Sequence, residues 1–511
     1  MKVLCYSPYD LWTLHGLWEK TILHGLRVRG ADVSLVACDG LYSDCDVFWA
    51  STAPRDALAC SRCQAHVATL AAGLQMPFRW LGRWLRVEEE REARRFVEQL
   101  PADALLDARY AAWPVGQWVK SSVHSHLRRS ELDPADPEVE AALRSWLTSG
   151  LIACFGLRRL LDEERPDALL IFSGRMSSTR IAYELARERG VRVVCHERGL
   201  LPDSLRLFVN ERCTNLGGLR EAWRAWRDVP LGDAQRRCAE DHMAGRRDGR
   251  GLSWKAFSPP AGDAGEVRAR LGLRAERPVW ILFSSSDDEG IAEEDFQSCF
   301  PEQLAWVRAT VDFAAEHPEL DLVIRVHPNT AGKYATGNNR TQLDAFRALA
   351  RGTPQNVRFV WPEDPVSSYT LMDLADAGLT YRSMVALEMA CAGKPNLVAA
   401  GCAVHGLGFV RTVRSPQSYR ADLDALLPGV RAHDSRAVSE AALRFAYLLF
   451  FRWNVPFPLV RMTDPHNGEL AYAGLEALLP GRDPGLDRVC GAVLEGASPC
   501  APPARGEAQA R

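Results

Sequence analysis

The stretch Leu322-Val-Ile-Arg-Val-His-Pro-Asn329 decides how the second half of this chain reads. Leu322, Val323, Ile324 and Val326 make a short apolar, β-branched run interrupted by Arg325. Such a run suits a strand buried on both faces, as in a parallel sheet. Pro328 donates no ladder hydrogen bond, so pairing should weaken there. About fifty residues later comes Leu379-Thr-Tyr-Arg-Ser-Met-Val-Ala-Leu-Glu-Met-Ala-Cys-Ala-Gly-Lys-Pro395. It reads as a strand, a turn carrying Ser383 and a helix carrying Glu388. Both polar sets fall at the carboxyl ends of strands, where open α/β sheets bind ligands.

Around these stretches, strands are expected at 278–284, 320–326, 357–361, 377–381 and 396–399. Helices are expected near 302–316, 341–351, 367–374 and 383–392. This strand–helix alternation argues a parallel sheet covered on both faces. The amino-terminal part alternates as well: strands at 3–6, 32–37, 166–172 and 191–195, with helices at 17–29 and from the turn at Gly174 to 190. Residues 64–160 read as a helical insertion. The Gly-, Arg- and Pro-rich residues 245–265 read as a linker. The expected fold is therefore α/β, with two Rossmann-like domains facing across a cleft. The first covers residues 1–250 and the second 265–430. Helices follow over 431–480, and a Gly/Pro/Ala-rich disordered tail over 481–511.

The chain has 511 residues, more than one ordinary core holds. Its 62 basic and 65 acidic residues give a net charge of −3, with no signature of nucleic-acid binding. The opening apolar run is broken by Pro8 and is too short for a signal peptide. The run 445–451 is far short of a membrane span. A cytoplasmic protein is expected, with peripheral contact to the inner membrane or an export complex left open.

Arg325 offers a planar fork for a phosphate or carboxylate. His327 can donate to a phosphate oxygen or move a proton. Asn329 would share their face if the strand stayed extended; the alternative is a histidine that caps the next helix. Ser383, at the start of a helix, suits an anion. Glu388 is the one charge between Val385-Ala-Leu387 and Met389-Ala-Cys391. A buried lone charge needs a partner, and paired ribose hydroxyls would supply one. Ser284 and Ser285 follow a strand and would let phosphate approach the backbone. In the first domain, Gly174 and Arg175 follow one strand, and His196-Glu-Arg-Gly199 ends the next. Glu197 is a candidate base for a sugar hydroxyl. Arg175 and Arg198 suit an anionic acceptor, or a salt bridge with Glu197 between neighbouring loops. His15 and Glu19 follow the first strand.

Fourteen cysteines are mostly scattered. Cys38, Cys45, Cys60 and Cys63 are separated by six, fourteen and two residues. Four thiolates suit structural tetrahedral zinc, with an iron–sulfur cluster or free thiols as alternatives. No organic cofactor is expected.

The segments Phe172-Ser-Gly-Arg175, His196-Glu-Arg-Gly199, Phe283-Ser-Ser285, Arg325-Val-His-Pro-Asn329, Thr380-Tyr-Arg-Ser383, Leu387-Glu388 and Gly393-Lys-Pro395 resemble the bacterial capsule polysaccharide biosynthesis family. That group includes capsular Kdo-type transferases, and the likeness spans about residues 165–400. It implies a GT-B-like glycosyltransferase that moves a sugar from a nucleotide-sugar to a glycan or lipid-linked glycan acceptor. Family members often carry asparagine where this chain has Ser173. Part of the pattern also looks like the polyol-phosphate transferases that build teichoic acids, which implies a CDP-activated donor instead. A non-catalytic glycan- or nucleotide-binding assembly protein is the third alternative.

Overall fold

The computed structural model describes residues 1–50, 58–254, 256–286, 290–331, 340–427 and 433–500. The chain divides into two compact units. One comprises Met1–Leu127, Glu131–Asn215 and Trp453–Ala501; the other is built on Leu216–Arg452 with Arg128–Ser130. No described helix is long and apolar enough to cross a membrane.

The strands, in chain order, are β1 (Lys2–Ser7), β2 (Asp32–Ala37), β3 (Phe78–Trp80), β4 (Ala168–Phe172), β5 (Arg192–Arg198), β6 (Ser204–Val209), β7 (Val279–Phe283), β8 (Asp321–Arg325), β9 (Val357–Val360), β10 (Ala377–Thr380), β11 (Asn396–Val398), β12 (Arg411–Thr412) and β13 (Val455–Pro456). In the first unit they order as β13-β6-β5-β4-β1-β2-β3. β3, β2, β1, β4 and β5 run parallel, while β6 and β13 are antiparallel additions at one edge. The strand order reverses between β1 and β4. In the second unit the order is β12-β11-β10-β7-β8-β9, parallel throughout. There the reversal falls between β7 and β10. These reversals are the switch points at which doubly wound sheets bind ligands.

Side-chain alternation shows why the second sheet forms. Trp280, Leu282, Leu322, Ile324 and Leu379 pack into one core. Val279, Ile281, Phe283 and Val323 pack into another. Both faces of each strand are therefore buried, as a continuous apolar run requires. In the first unit Val3, Cys5, Leu35, Leu170 and Val194 share a core with the helix Thr13–Val28.

Three expected boundaries are corrected. Helices Gly217–Trp226 and Asp233–Arg247 belong with the second unit, so the division lies at 215/216 rather than near 250–265. Among the described residues of 431–480 only Ser435–Tyr447 is a regular α-helix; the chain from Trp453 on returns to the first unit, where Val455 pairs with Leu205. Residues 481–500 are not a disordered tail. They hold the helix Pro484–Glu495, whose Leu486, Val489 and Val493 join the core of β1. Residues 501–511 lie outside the described residues. The stretch 64–160 is largely helical but also supplies β3.

Candidate functional site

In the second unit, register brings the loops after β7, β8 and β10 side by side, since Phe283 pairs with both Arg325 and Thr380. Ser284 N donates to the Arg325 carbonyl (3.1 Å), and His327 N donates to Ser284 Oγ (2.9 Å). Ser285 is fixed by Gln303, whose Oε1 accepts from Ser285 N at 2.8 Å, and by Gln342 Nε2, which donates to the Ser285 carbonyl at 2.8 Å. Ser383 Oγ accepts from Val385 N (3.2 Å), the first residue of the short helix Val385–Cys391. Ser284, Arg325, His327 and Ser383 thus all lie at the β7–β10 switch point or one strand from it.

Arg325 is the unusual member. It is 2% exposed, and Nη1 donates to the Trp361 carbonyl at 2.6 Å. Nε has no partner among the described residues. Burial pushes the guanidinium pKa down to about 10, against the pull of Asp364 and Glu363. Among the described residues the guanidinium forms no ion pair, so Asp364 and Glu363 offset its burial only in part.

Two expectations change here. β8 ends at Arg325, and Pro328–Ala331 turns as a 3-10 helix, so Asn329 leaves the shared face. The cause is Pro328, which cannot extend the ladder. Asn329 N instead donates to His327 Nδ1 (3.2 Å). Glu388, for its part, is not a lone charge. Arg246 Nε donates to Oε1 at 2.7 Å and Tyr369 OH at 3.4 Å, with the Glu388 side chain 9% exposed. It lines a cavity of about 330 Å³ together with Met243, Arg247, Met372 and Leu443. Arg246 lies 142 residues away, which is why reading the helix alone leaves the carboxylate unpaired.

In the first unit, Ser173 (φ +58°) and Gly174 (φ +68°) form a tight turn after β4. A Cβ on Gly174 would come within 2.9 Å of Cys195 Sγ. Arg175 Nη1 donates to Ser121 Oγ (2.9 Å) and Ser125 Oγ (3.2 Å). Arg198 Nη1 donates to the Pro465 carbonyl (2.8 Å), and Glu197 Oε1 accepts from Arg198 N (2.9 Å).

Glu197 and His196 point to opposite faces of β5. His196 faces the helix Thr13–Val28, where its Nε2 lies 3.0 Å from Glu19 Oε1. Ser7 Oγ donates to the other oxygen of Glu19. Beside them Lys20 Nζ bonds Asp10 Oδ1 at 2.7 Å, both side chains fully buried. The sequence reading missed His196. The signal was available: it opens the His-Glu-Arg-Gly motif, and Glu19 stands one helical turn from His15.

Cys38, Cys45, Cys60 and Cys63 all line one mainly apolar cavity of about 30 Å³. Burial pushes the Cys38 thiol up to about 12 and the Cys63 thiol up to about 11. Among the described residues no group of three or more His, Cys, Asp or Glu is placed to hold a metal ion.

No protein-family model matches the chain, and no curated protein matches it. Among solved structures it is similar to the β-Kdo 2,4-transferase KpsC of Thermosulfurimonas dismutans. That match has 16% identity over 61% of this chain and 87% of that one, with a TM-score of 0.35. The UDP-GlcNAc 2-epimerase from Neisseria meningitidis, bound to UDP-GlcNAc, is similar at 12% identity over 88% of this chain and 96% of that one, with a TM-score of 0.23. The spinosyn rhamnosyltransferase SpnG matches at 15% identity over 88% and 98%, with a TM-score of 0.27. Values at this level assign neither a substrate nor the role of any residue.

Proposed function

We propose that this chain is a nucleotide-sugar-dependent glycosyltransferase of surface-polysaccharide assembly. The second unit binds the donor and the first binds a glycan or lipid-linked glycan acceptor. The observation that carries this reading is Arg325, buried at a switch-point edge, in no ion pair and with an unpartnered Nε among the described residues. A donor phosphate supplies the missing charge. His327, Ser284, Ser285 and Ser383 surround the same edge with hydroxyl, imidazole and amide groups. Glu388 enters through the cavity it lines, whose size suits a nucleoside. Positive charge at the phosphates stabilises the departing nucleotide, so this chain's own residues can supply the electrostatics of the step. The cysteine quartet has no role in this reading.

Calorimetry against UDP-, GDP-, CMP- and CDP-linked ligands tests it. One of them should bind, and Arg325→Ala should weaken that ligand by roughly 10- to 150-fold, the worth of one charge-assisted hydrogen bond. Equal affinity in a variant with native circular dichroism would refute the phosphate role. Product analysis then separates a glycosidic bond from the phosphodiester of a polyol-phosphate transferase.

A further inference from the structure

We propose that the switch point of the first unit is a proton-accepting site for a hydroxyl-bearing acceptor, with His196, held by Glu19, as the base. This rests on the transferase reading and adds the group that activates the acceptor.

The placement comes first. β1 and β4 flank the reversal of strand order, and the helix Thr13–Val28 begins just after β1. His15, in its first turn, packs its ring 4.0 Å from that of Phe172, the last residue of β4. His196 is the register partner of Phe172 on β5. Its ring lies 5.8 Å from His15. Two imidazoles therefore meet at the edge where a doubly wound sheet takes ligands.

The hydrogen bonds come second. An ionised carboxylate only accepts, so Glu19 requires the proton of His196 on Nε2. That leaves a bare lone pair on Nδ1. Ser7 holds the second oxygen of Glu19 and so fixes the orientation. Among the described residues His196 Nδ1 has no partner, and neither does His15 Nδ1. Both rings are buried, with His196 at 0% and His15 at 3% exposure. Buried polar atoms are ordinarily satisfied. Two that are not, on rings 5.8 Å apart at the switch point, are what hydroxyl groups would satisfy. Burial and the neighbouring His196, Arg198 and His466 hold the His15 pKa well below its ordinary value. His15 is therefore held neutral.

The step balances. The acceptor O–H gives its proton to His196 Nδ1 while its oxygen bonds the anomeric carbon. The sugar–phosphate bond breaks, and the nucleotide leaves with the electron pair. The imidazolium formed is stabilised by Glu19, in the manner of other carboxylate–histidine pairs.

Kinetics of two variants and one spectrum test the proposal. His196→Gln should lower kcat by about 10²–10⁴ while nucleotide affinity, measured by calorimetry, stays unchanged. Glu19→Gln should move the acid limb of the kcat/KM–pH profile to lower pH, because the carboxylate no longer favours the imidazolium. A purely structural pair would not move that limb. Histidine ¹⁵N shifts of the intact wild-type protein should show His196 protonated at Nε2 and bare at Nδ1. A kcat within threefold of wild type in His196→Gln, an unmoved limb, or a proton on Nδ1 overturns the proposal. If His196→Gln fails to fold, the Glu19 profile and the spectrum decide. If no nucleotide binds, the donor reading falls, and the tautomer result still stands on its own.

Discussion

Replacing Lys20 with methionine should cost about 3–5 kcal/mol at pH 7, the usual loss on breaking a buried ion pair from one side. Both partners are fully buried, with Nζ 2.7 Å from Asp10 Oδ1, so solvent does not screen the charge left behind. Asp10 would be left without a side-chain donor among the described residues, because the single Ser7 hydroxyl proton goes to Glu19, itself a like-charged neighbour. Its Oδ1 rests against the adjacent helix at Gly16, where a Cβ would stand 2.2 Å from it. The escape is protonation. From the ordinary value of 3.8, that costs about 1.36 × 3.2 ≈ 4.4 kcal/mol at pH 7 and about 1.6 kcal/mol at pH 5. The deficit of the variant should therefore shrink as pH falls.

The signs in the wild type agree. Asp10 is raised by burial, against Lys20, so its share of stability is full below 3.8 and is lost as pH rises through its folded value. Lys20 is also raised, on balance by Asp10 and Glu19 against burial, so its share persists until pH passes its folded value in the alkaline range. Urea unfolding at pH 5, 7 and 8 measures the deficit. The double variant Lys20→Met/Asp10→Asn should recover most of the loss, giving a clear interaction energy. A loss below about 1 kcal/mol at pH 7, or one that ignores pH, would refute the reasoning.

Glu388→Gln should cost stability through Arg246, by about 1–3 kcal/mol, since the guanidinium would lose its carboxylate while remaining 15% exposed; a thermal midpoint equal to wild type would show that the pair is not formed. Cys38, Cys45 and Cys63, all held protonated by burial, should alkylate far more slowly at pH 7.5 than the exposed Cys238. Mass spectrometry of the labelled peptides reads this, and acceleration by a chelator would reveal thiolates held by a metal instead.

The central parallel strands could be read locally, while β3, β6, β12 and β13 were not expected. Leu322–Ile324 and Val279–Phe283 are apolar on successive residues, which specifies a strand covered on both faces whatever the rest of the chain does. The polar residues that end those strands could be read for the same reason, since Ser284, Arg325 and Ser383 follow the apolar runs directly. Other features left no local trace. Whether Asn329 stayed on the strand face depended on how far Pro328 broke the ladder, and boundaries of that kind depend on the pairing partner.

The amino-acid sequence by itself determined two parallel α/β units and the strand ends at which their polar residues gather. Tertiary structure decided who meets whom. It returned residues 453–500 to the first unit, joined Arg246 to Glu388, and set His196 against Glu19 across 177 positions. The reason is physical: backbone preference and hydrophobic period act over a few residues and are written into each segment. The partner of a buried charge is chosen by packing, which brings together segments whose separation along the chain carries no information about their contact.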